Sequence, residues 1–275
     1  MKTAWNRDFL ERSPLFEPLR ASAQRSLCTP DWPTLDDLRR ALAQCPVEAR
    51  TQSGARISFV PQAPRTAIFE DGYEPRIHLR GEVQVRGRNW HDLMNALVWM
   101  TFPRAKAALN ARHYRALLEQ RAAGAPNRGK LQDALTLFDE GGVIVVARDP
   151  ALLRLLESFQ WKRLFWQERT RVVNDMRFYL FGHAIYEKAL APFAGITARG
   201  LLFEVEHAFL DAPFDVQIAR ADALAAALLQ DGAGLKTPRD LAPVPILGIP
   251  GWCAENARAS YYDNRDYFRT GRRRR

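Results

Sequence analysis

No run in this 275-residue sequence approaches the twenty or so consecutive apolar positions that a membrane-spanning helix needs, so no such helix is expected. The opening MKTAWNRDFLERSP lacks the apolar stretch of a secretory signal and carries acids early. Cysteine is scarce. Cys28, Cys45 and Cys253 are scattered, without metal-ligand spacing or a disulfide framework, which fits reduced thiols in a cytoplasmic protein. Also missing are the phosphate loop GxxxxGKS/T, the dinucleotide fingerprint GxGxxG, the zinc motif HExxH, the nucleophile elbow GxSxG and any fixed-period repeat. These absences remove the common signatures of NTPases, dehydrogenases, zinc peptidases and serine hydrolases.

What is present is enough apolar matter for a core. Hydrophobic residues make up 47% of the chain, with seven Trp and fifteen Phe, which excludes a disordered polymer. The formal net charge is +9, of which Arg272–Arg275 supply four, leaving +5 spread over the rest. That excess permits a nucleic-acid or other polyanion partner without requiring one.

The most informative stretch is residues 88–113, RNWHDLMNALVWMTFPRAKAALNARH. At 3.6 residues per turn, Trp90, Leu93, Met94, Leu97, Val98 and Trp99 make a broad apolar face. Asn89 reads as an N-cap, and Asp92 sits in the first turn where the helix dipole favours an acid. Pro103 breaks this helix, and a second is expected over residues 104–121. His91 and Asn95 share a face at i, i+4, as do Asn110 and His113 at i, i+3. Histidine suits general acid–base work, asparagine orients, and Arg104 and Lys106 suit a phosphate. Each of these also has a structural explanation, since polar side chains inside a helix often serve only to satisfy buried groups.

Upstream, residues 1–32 read as an arm that packs on the body through Trp5, Phe9, Leu10, Leu15 and Phe16. Thr34 caps a helix through Leu35, Leu38 and Leu42. Period-two alternation predicts strands at 56–60 (RISFV), 76–79 (RIHL) and 82–85 (EVQV), the last two joined at Arg80-Gly81. DALTLFD and VIVVA, separated by Glu140-Gly141-Gly142, read as a β-hairpin. On that hairpin Asp133 and Asp139 share a face, with Glu140 at the turn, which is a candidate oxygen-ligand set for a divalent metal.

Asp149-Pro150 starts a helix. Residues 161–175 are helical in pattern and dense in Arg and aromatics, either a surface on which bases stack or an ordinary amphipathic helix. Residues 176–190 read as one apolar helix containing His183 and Glu187 at i, i+4, so that the carboxylate could orient the imidazole. A strand follows over 201–205, then a helix over 216–229. VPILGIPGW reads as a rigid buried connector, and residues 269–275 as a disordered basic tail.

Four blocks in order, NWHDLMNALVWMTFPRAKAALNARH, DALTLFDEGGVIVVA, FGHAIYEKALAPFAGITARGLL and PILGIPGW, resemble a bacterial family known as domain of unknown function 3025. The resemblance covers roughly residues 50–268. It implies a bacterial origin and a single family domain, and it brings no reaction, cofactor or site with it; the chain itself reads as one domain over 33–268.

The expected fold is α+β, a mainly helical single domain with short antiparallel β-hairpins. Two functions remain open. The first is a metal-assisted hydrolase on a phosphate-containing or nucleic-acid substrate, with His183, Glu187, His91, Asn95 and His113 catalytic. In it Arg104, Lys106 and Asn110 bind substrate, and Asp133, Asp139 and Glu140 hold metal. The second is a non-catalytic polyanion-binding or adaptor protein without a membrane role. The hydrolase needs these residues, distant in sequence, to gather in one place.

Overall fold

The computed structural model describes residues 4–26, 29–64 and 66–271; Cys28 and the tail residues 272–275 lie outside the described residues. In chain order the elements are α1 (Arg20–Ser26), α2 (Leu35–Ala43), β1 (Ser58–Pro61), α3 (Tyr73–Arg80) and β2 (Glu82–Val85). The middle of the chain holds α4 (Trp90–Thr101), α5 (Pro103–Ala122), α6 (Lys130–Gly141), β3 (Gly142–Ala147) and α7 (Pro150–Glu157). After these come α8 (Arg169–Asp175), β4 (Met176–Leu180), α9 (His183–Ala189), β5 (Thr197–Glu204), α10 (His207–Asp211), α11 (Phe214–Gln230) and β6 (Ala242–Pro245). The fold is α+β and about 55% helical, with 13% strand.

Helix starts follow local chemistry. The Thr34 hydroxyl accepts from Asp37 N in a full capping box, the Asn89 side chain accepts from Asp92 N, and Asp149 accepts from Ala151 N. Pro103 does separate two helices. It stands at the first position of α5, where its missing N–H costs nothing.

The cap of α5 comes from elsewhere in the chain. Asp222, on α11, accepts from Arg104 N at 3.1 Å and Ala105 N at 2.8 Å. Burial raises the Asp222 carboxyl to about 6, against the opposing pull of those two N–H groups. Its affinity for a proton is therefore higher folded than unfolded. Stability is greatest when Asp222 is protonated, and it is lost as pH rises from about 3.8 through about 6. Paired urea titrations should show wild type gaining about 2–3 kcal/mol relative to Asp222→Asn between pH 7 and pH 4. A difference that does not change with pH would refute this assignment.

The strands form two sheets. β1 and β2 pair in parallel, from Ser58–Glu82 to Pro61–Val85. The larger sheet runs β4-β3-β5-β6, with β3 antiparallel to β4, parallel to β5, and β5 antiparallel to β6. All six residues of β3 are buried, as its unbroken apolar run GVIVVA requires of a strand covered on both faces. Proline in β6 is tolerated because that strand lies at the sheet edge.

Several expectations are corrected. Residues 76–79 lie in α3, not a strand, and Gly81 ends that helix at φ 71 instead of forming a hairpin turn. A Cβ on Gly81 would lie 1.9 Å from the Arg56 carbonyl oxygen. DALTLFD is α6, so the 133–147 hairpin is a helix running directly into β3. Residues 176–190 divide into β4 and α9. Within 161–175, a π-helical turn over Arg163–Gln167 precedes α8. The sheets are mixed and parallel, not antiparallel hairpins alone.

The N-terminal segment docks through the apolar residues that the sequence offered. Phe9, Leu10, Leu15 and Phe16 are buried, the Trp5 and Trp32 rings pack on Trp90, and Phe16 stacks on Tyr186. These contacts press the segment against α4 and α9, behind the side chains of the site.

Candidate active site

Four helices bring their polar side chains to one place. α4 contributes His91 and Asn95, α5 contributes Lys106, Asn110 and His113, α6 contributes Asp139, and α9 contributes His183 and Glu187. α3 adds Tyr73 and Glu74, which the sequence did not single out.

The contacts form a continuous line. Glu187 Oε2 lies 3.0 Å from His91 Nδ1, and His91 Nε2 lies 3.0 Å from His183 Nε2. His183 Nδ1 faces Asp139 Oδ2 at 3.7 Å. Lys106 Nζ donates to Asp139 Oδ1 at 2.5 Å and to Asn95 Oδ1 at 2.9 Å, and Asn95 Nδ2 donates to the Tyr73 hydroxyl at 2.8 Å. Beside this line, Asn110 Nδ2 donates to the Glu74 carboxylate at 2.7 Å and to the Glu74 carbonyl at 3.0 Å. His113 is buried close enough for its charge to act on both Glu74 and Asp139.

The line runs from solvent to interior. The His91 side chain is 35% exposed and that of His183 only 6%. Burial pushes the His183 imidazole down to about 4, further than the Asp139 carboxylate pulls it back up. It is therefore neutral near pH 7 and holds one free lone pair. Burial opposes the charge of Asp139, yet Lys106 and the histidines around it hold its carboxyl below the ordinary value. Desolvation pushes the half-buried Glu74 carboxyl up, against the opposing charge of His113.

Hydrogen counting constrains the histidine pair. A carboxylate only accepts, so the His91 hydrogen belongs on Nδ1, toward Glu187. On the other side His183 Nδ1 makes no hydrogen bond, the nearest Asp139 carboxylate oxygen lying 3.7 Å away. The two Nε2 atoms, 3.0 Å apart, share a hydrogen bond that His183 donates and His91 accepts.

The position of His183 follows from a steric requirement. Gly182 lies so close to the α6–β3 junction that a Cβ there would meet Glu140 O and Gly142 N at 2.5 Å each. This contact sets the first residue of α9 beside Asp139 at the end of α6. Gly182→Ala should cost about 1–3 kcal/mol in urea denaturation, the usual range for forced overpacking. Wild-type stability in that variant would show that the junction is not a constraint.

The sequence-derived assignments fare unequally. His91, His183, Glu187, Asn95, Lys106, Asn110, His113 and Asp139 do assemble. The expected His183–Glu187 contact does not form. Glu187 reaches across to His91 on α4, because one turn of α9 puts it at the rim while His183 points inward. Arg104 is exposed, and its backbone N–H serves the α5 cap, so it does not join the cluster. Lys106 is engaged with Asp139 and Asn95 and is not free for a phosphate.

The carboxylate set expected to hold metal is not assembled. Because 133–141 is helical, Asp133 and Glu140 leave the face of Asp139 and stand exposed. Among the described residues, no three His, Cys, Asp or Glu side chains are grouped to hold a metal ion.

Fold and network together define a mainly helical α+β protein with a polar network threaded through its apolar core. The chain belongs to the family described as Protein of unknown function (DUF3025), whose model matches residues 57–272 and so takes in every residue of the network. No curated protein and no solved structure matches it. Among the described residues, no helix is long and apolar enough to cross a membrane.

Proposed function

We propose that this protein is a hydrolase of the bacterial cytoplasm, acting on a phosphate-containing substrate, nucleic acids included, by acid–base chemistry at the His91–His183 pair. The observation that carries this reading is the hydrogen-bonded chain Glu187–His91–His183, with the Asp139 carboxylate 3.7 Å beyond His183 Nδ1. Two buried-to-rim histidines backed in this way resemble a device for moving protons more than a structural contact, since a structural pair needs no second carboxylate.

In this mechanism the imidazole pair removes a proton from water as its oxygen attacks phosphorus. The added charge is shared between the two Nε2 atoms and steadied by Glu187 and Asp139. The same proton is then delivered to the departing oxygen. An anionic substrate is suited to the place, because His91 lies in the first turn of α4 and Arg88 is exposed just before it. Arg86 neutralises the adjacent Asp92 through two side-chain hydrogen bonds of 2.8 Å.

The polyanion-binding alternative rested on the Arg/aromatic stretch and on the basic tail, whose residues 272–275 lie outside the described residues. There Trp161, Leu164, Phe165 and Val172 are buried, while Lys162 pairs with Asp263 and Arg171 with Glu168 and Asp149. These cations are already engaged by the chain's own acids, so this surface favours binding less than the relay favours catalysis.

The test is a panel of phosphomonoesters, phosphodiesters, and single- and double-stranded nucleic acids. Turnover that both His91→Ala and His183→Ala abolish supports the hydrolase. No turnover of any member, together with binding to DNA or RNA that weakens steeply with salt, would replace it with the binding protein.

A further inference from the structure

We propose that the cavity between the N-terminal segment, the start of α8 and the end of the VPILGIPGW block binds a nucleoside monophosphate, at a site separate from the histidine pair. The cavity measures about 440 Å³, within the roughly 300–1,000 Å³ of small-molecule sites. Arg12, Ser13, Arg169 and Cys253 line it, and among the described residues no acid and no member of the polar network does. Gly251 and Trp252, the last residues of the VPILGIPGW block, form part of its wall.

Two guanidiniums meet this cavity without an acid to neutralise them. Arg12 donates from Nη1 to Leu190 O at 2.7 Å. Arg169 donates from Nη1 to Asn256 O at 3.0 Å and from Nη2 to Asn256 Oδ1 at 3.3 Å. A guanidinium carries five N–H donors, so both keep some for a ligand. Among the described residues neither forms an ion pair, and the acids beside them in sequence are engaged elsewhere. Glu11 and Glu17 pair with Arg20, and Glu168 pairs with Arg171. A phosphomonoester carries about −1.5 to −2 charges at pH 7 and offers three acceptor oxygens, which matches two such forks better than a single carboxylate does.

The wall is braced from within. Asn256, wholly buried, donates to Leu247 O at 2.9 Å and to Ile249 O at 2.6 Å, while its Oδ1 accepts from Arg169. The Tyr262 hydroxyl donates to Gly248 O at 2.8 Å, and the Tyr267 hydroxyl accepts from Leu247 N at 3.0 Å. The loop and the Arg169 guanidinium are thereby held in one geometry, which lowers the ordering cost of binding. Gly251 holds φ 84, and a Cβ there would meet nothing within 4 Å, in keeping with its place on the open side of the cavity. Trp252, half-buried and set at 73° to Phe178, offers an indole on which a planar base can stack. Paired cations for a phosphate and a ring for a base together fit a mononucleotide.

The experiment is a calorimetric titration of the full chain with adenosine 5′-monophosphate, run beside adenosine, together with peptide-mapped alkylation of the cysteines by iodoacetamide. The expected result is one nucleotide per chain, with adenosine about 10-fold weaker or worse for want of its charged group. The nucleotide should slow alkylation of Cys253, which lines the cavity, and not of Cys45, which does not. Arg12→Gln and Arg169→Gln should each weaken binding about 10-fold or more, the usual loss for a charge-assisted hydrogen bond. Ala254→Phe, which narrows the cavity without changing its charge, should weaken binding too. Arg12 and Ala254 are exposed, so their variants test the site even if Arg169→Gln fails to fold.

Absence of a one-to-one nucleotide, or binding unchanged in Arg12→Gln and Ala254→Phe, overturns the inference. Protection of Cys253 that persists in His91→Ala and His183→Ala supports it, whether or not the chain hydrolyses any phosphoester. Nucleotide binding that those histidine variants abolish, with Cys253 never protected, would move the nucleotide to the histidine pair and overturn the cavity assignment alone.

Discussion

Lys106→Met should lower the free energy of unfolding by about 3–5 kcal/mol, the cost typical of removing one member of a buried ion pair. Lys106 is 3% exposed, on α5. Its ammonium donates to Asp139 and Asn95 and lies 5.3 Å from the centre of the Trp99 ring. Methionine replaces the aliphatic stem well, so the loss is not one of packing. What remains is an Asp139 carboxylate without its cation, in a place where burial already works against its charge. Asn95 also loses its donor, and with it the arrangement that holds the Tyr73 hydroxyl. Adding Asp139→Asn to Lys106→Met should restore a large part of the loss, because no stranded charge is then left in the interior. Urea denaturation of the two single variants and the double variant closes the cycle. A loss under about 1 kcal/mol in Lys106→Met would show that water reaches Asp139 and that the network is not a buried one.

His183→Ala is expected to reduce kcat by about 10²–10⁴-fold on whichever phosphoester the protein turns over, the range associated with losing a positioned acid or base. KM should change little, because His183 is buried and the substitution leaves Arg88 and the first turn of α4, the proposed substrate contacts, untouched. Glu187→Gln keeps the size of the side chain and removes its charge, so it should reduce kcat less than His183→Ala does. The measurement is steady-state kinetics well below the melting temperature, with folding verified by circular dichroism, since emptying a buried imidazole position itself costs stability. If His183→Ala turns over substrate at the wild-type rate, the relay takes no part in the chemistry.

The sequence exposed those features that are set by neighbours along the chain. Thr34, Asn89 and Asp149 cap helices because each binds an N–H two or three residues away. Pro103 divides α4 from α5 through a steric effect on its own backbone. Runs of four residues misled. RIHL alternates like a strand, yet within α3 Ile77 is buried while His78 stacks on Tyr114 at 4.2 Å. DALTLFD alternates too, but in α6 its Ala134, Leu135 and Phe138 form the buried face of a helix. In both cases helix and strand patterns fit equally well over one or two turns, and tertiary packing decided.

The site was legible as a set of residues but not as a set of bonds. Spacing put His183 and Glu187 on one helix, and the structure gives Glu187 to His91 instead, 96 residues earlier. Tyr73 and Glu74 carried no signal, since nothing near Pro75 shows that α3 turns them toward α5. The cap that Asp222 supplies to α5, from 118 residues later, was equally beyond local pattern. That eight of the eleven nominated residues meet reflects how costly it is to bury ionisable groups: the chain gathers them so that each can satisfy another.

The register of β3 has a consequence for synthesis. Gly142 pairs with Arg199 and Ala147 with Glu204, so this wholly buried strand gains its parallel neighbour only after β5 has left the ribosome. Until then VIVVA is an uncharged, β-prone edge with one side open, the kind of segment on which nascent chains stick to one another. Chains arrested between residues 180 and 197 should accordingly be the most aggregation-prone products of translation and the ones most in need of a chaperone.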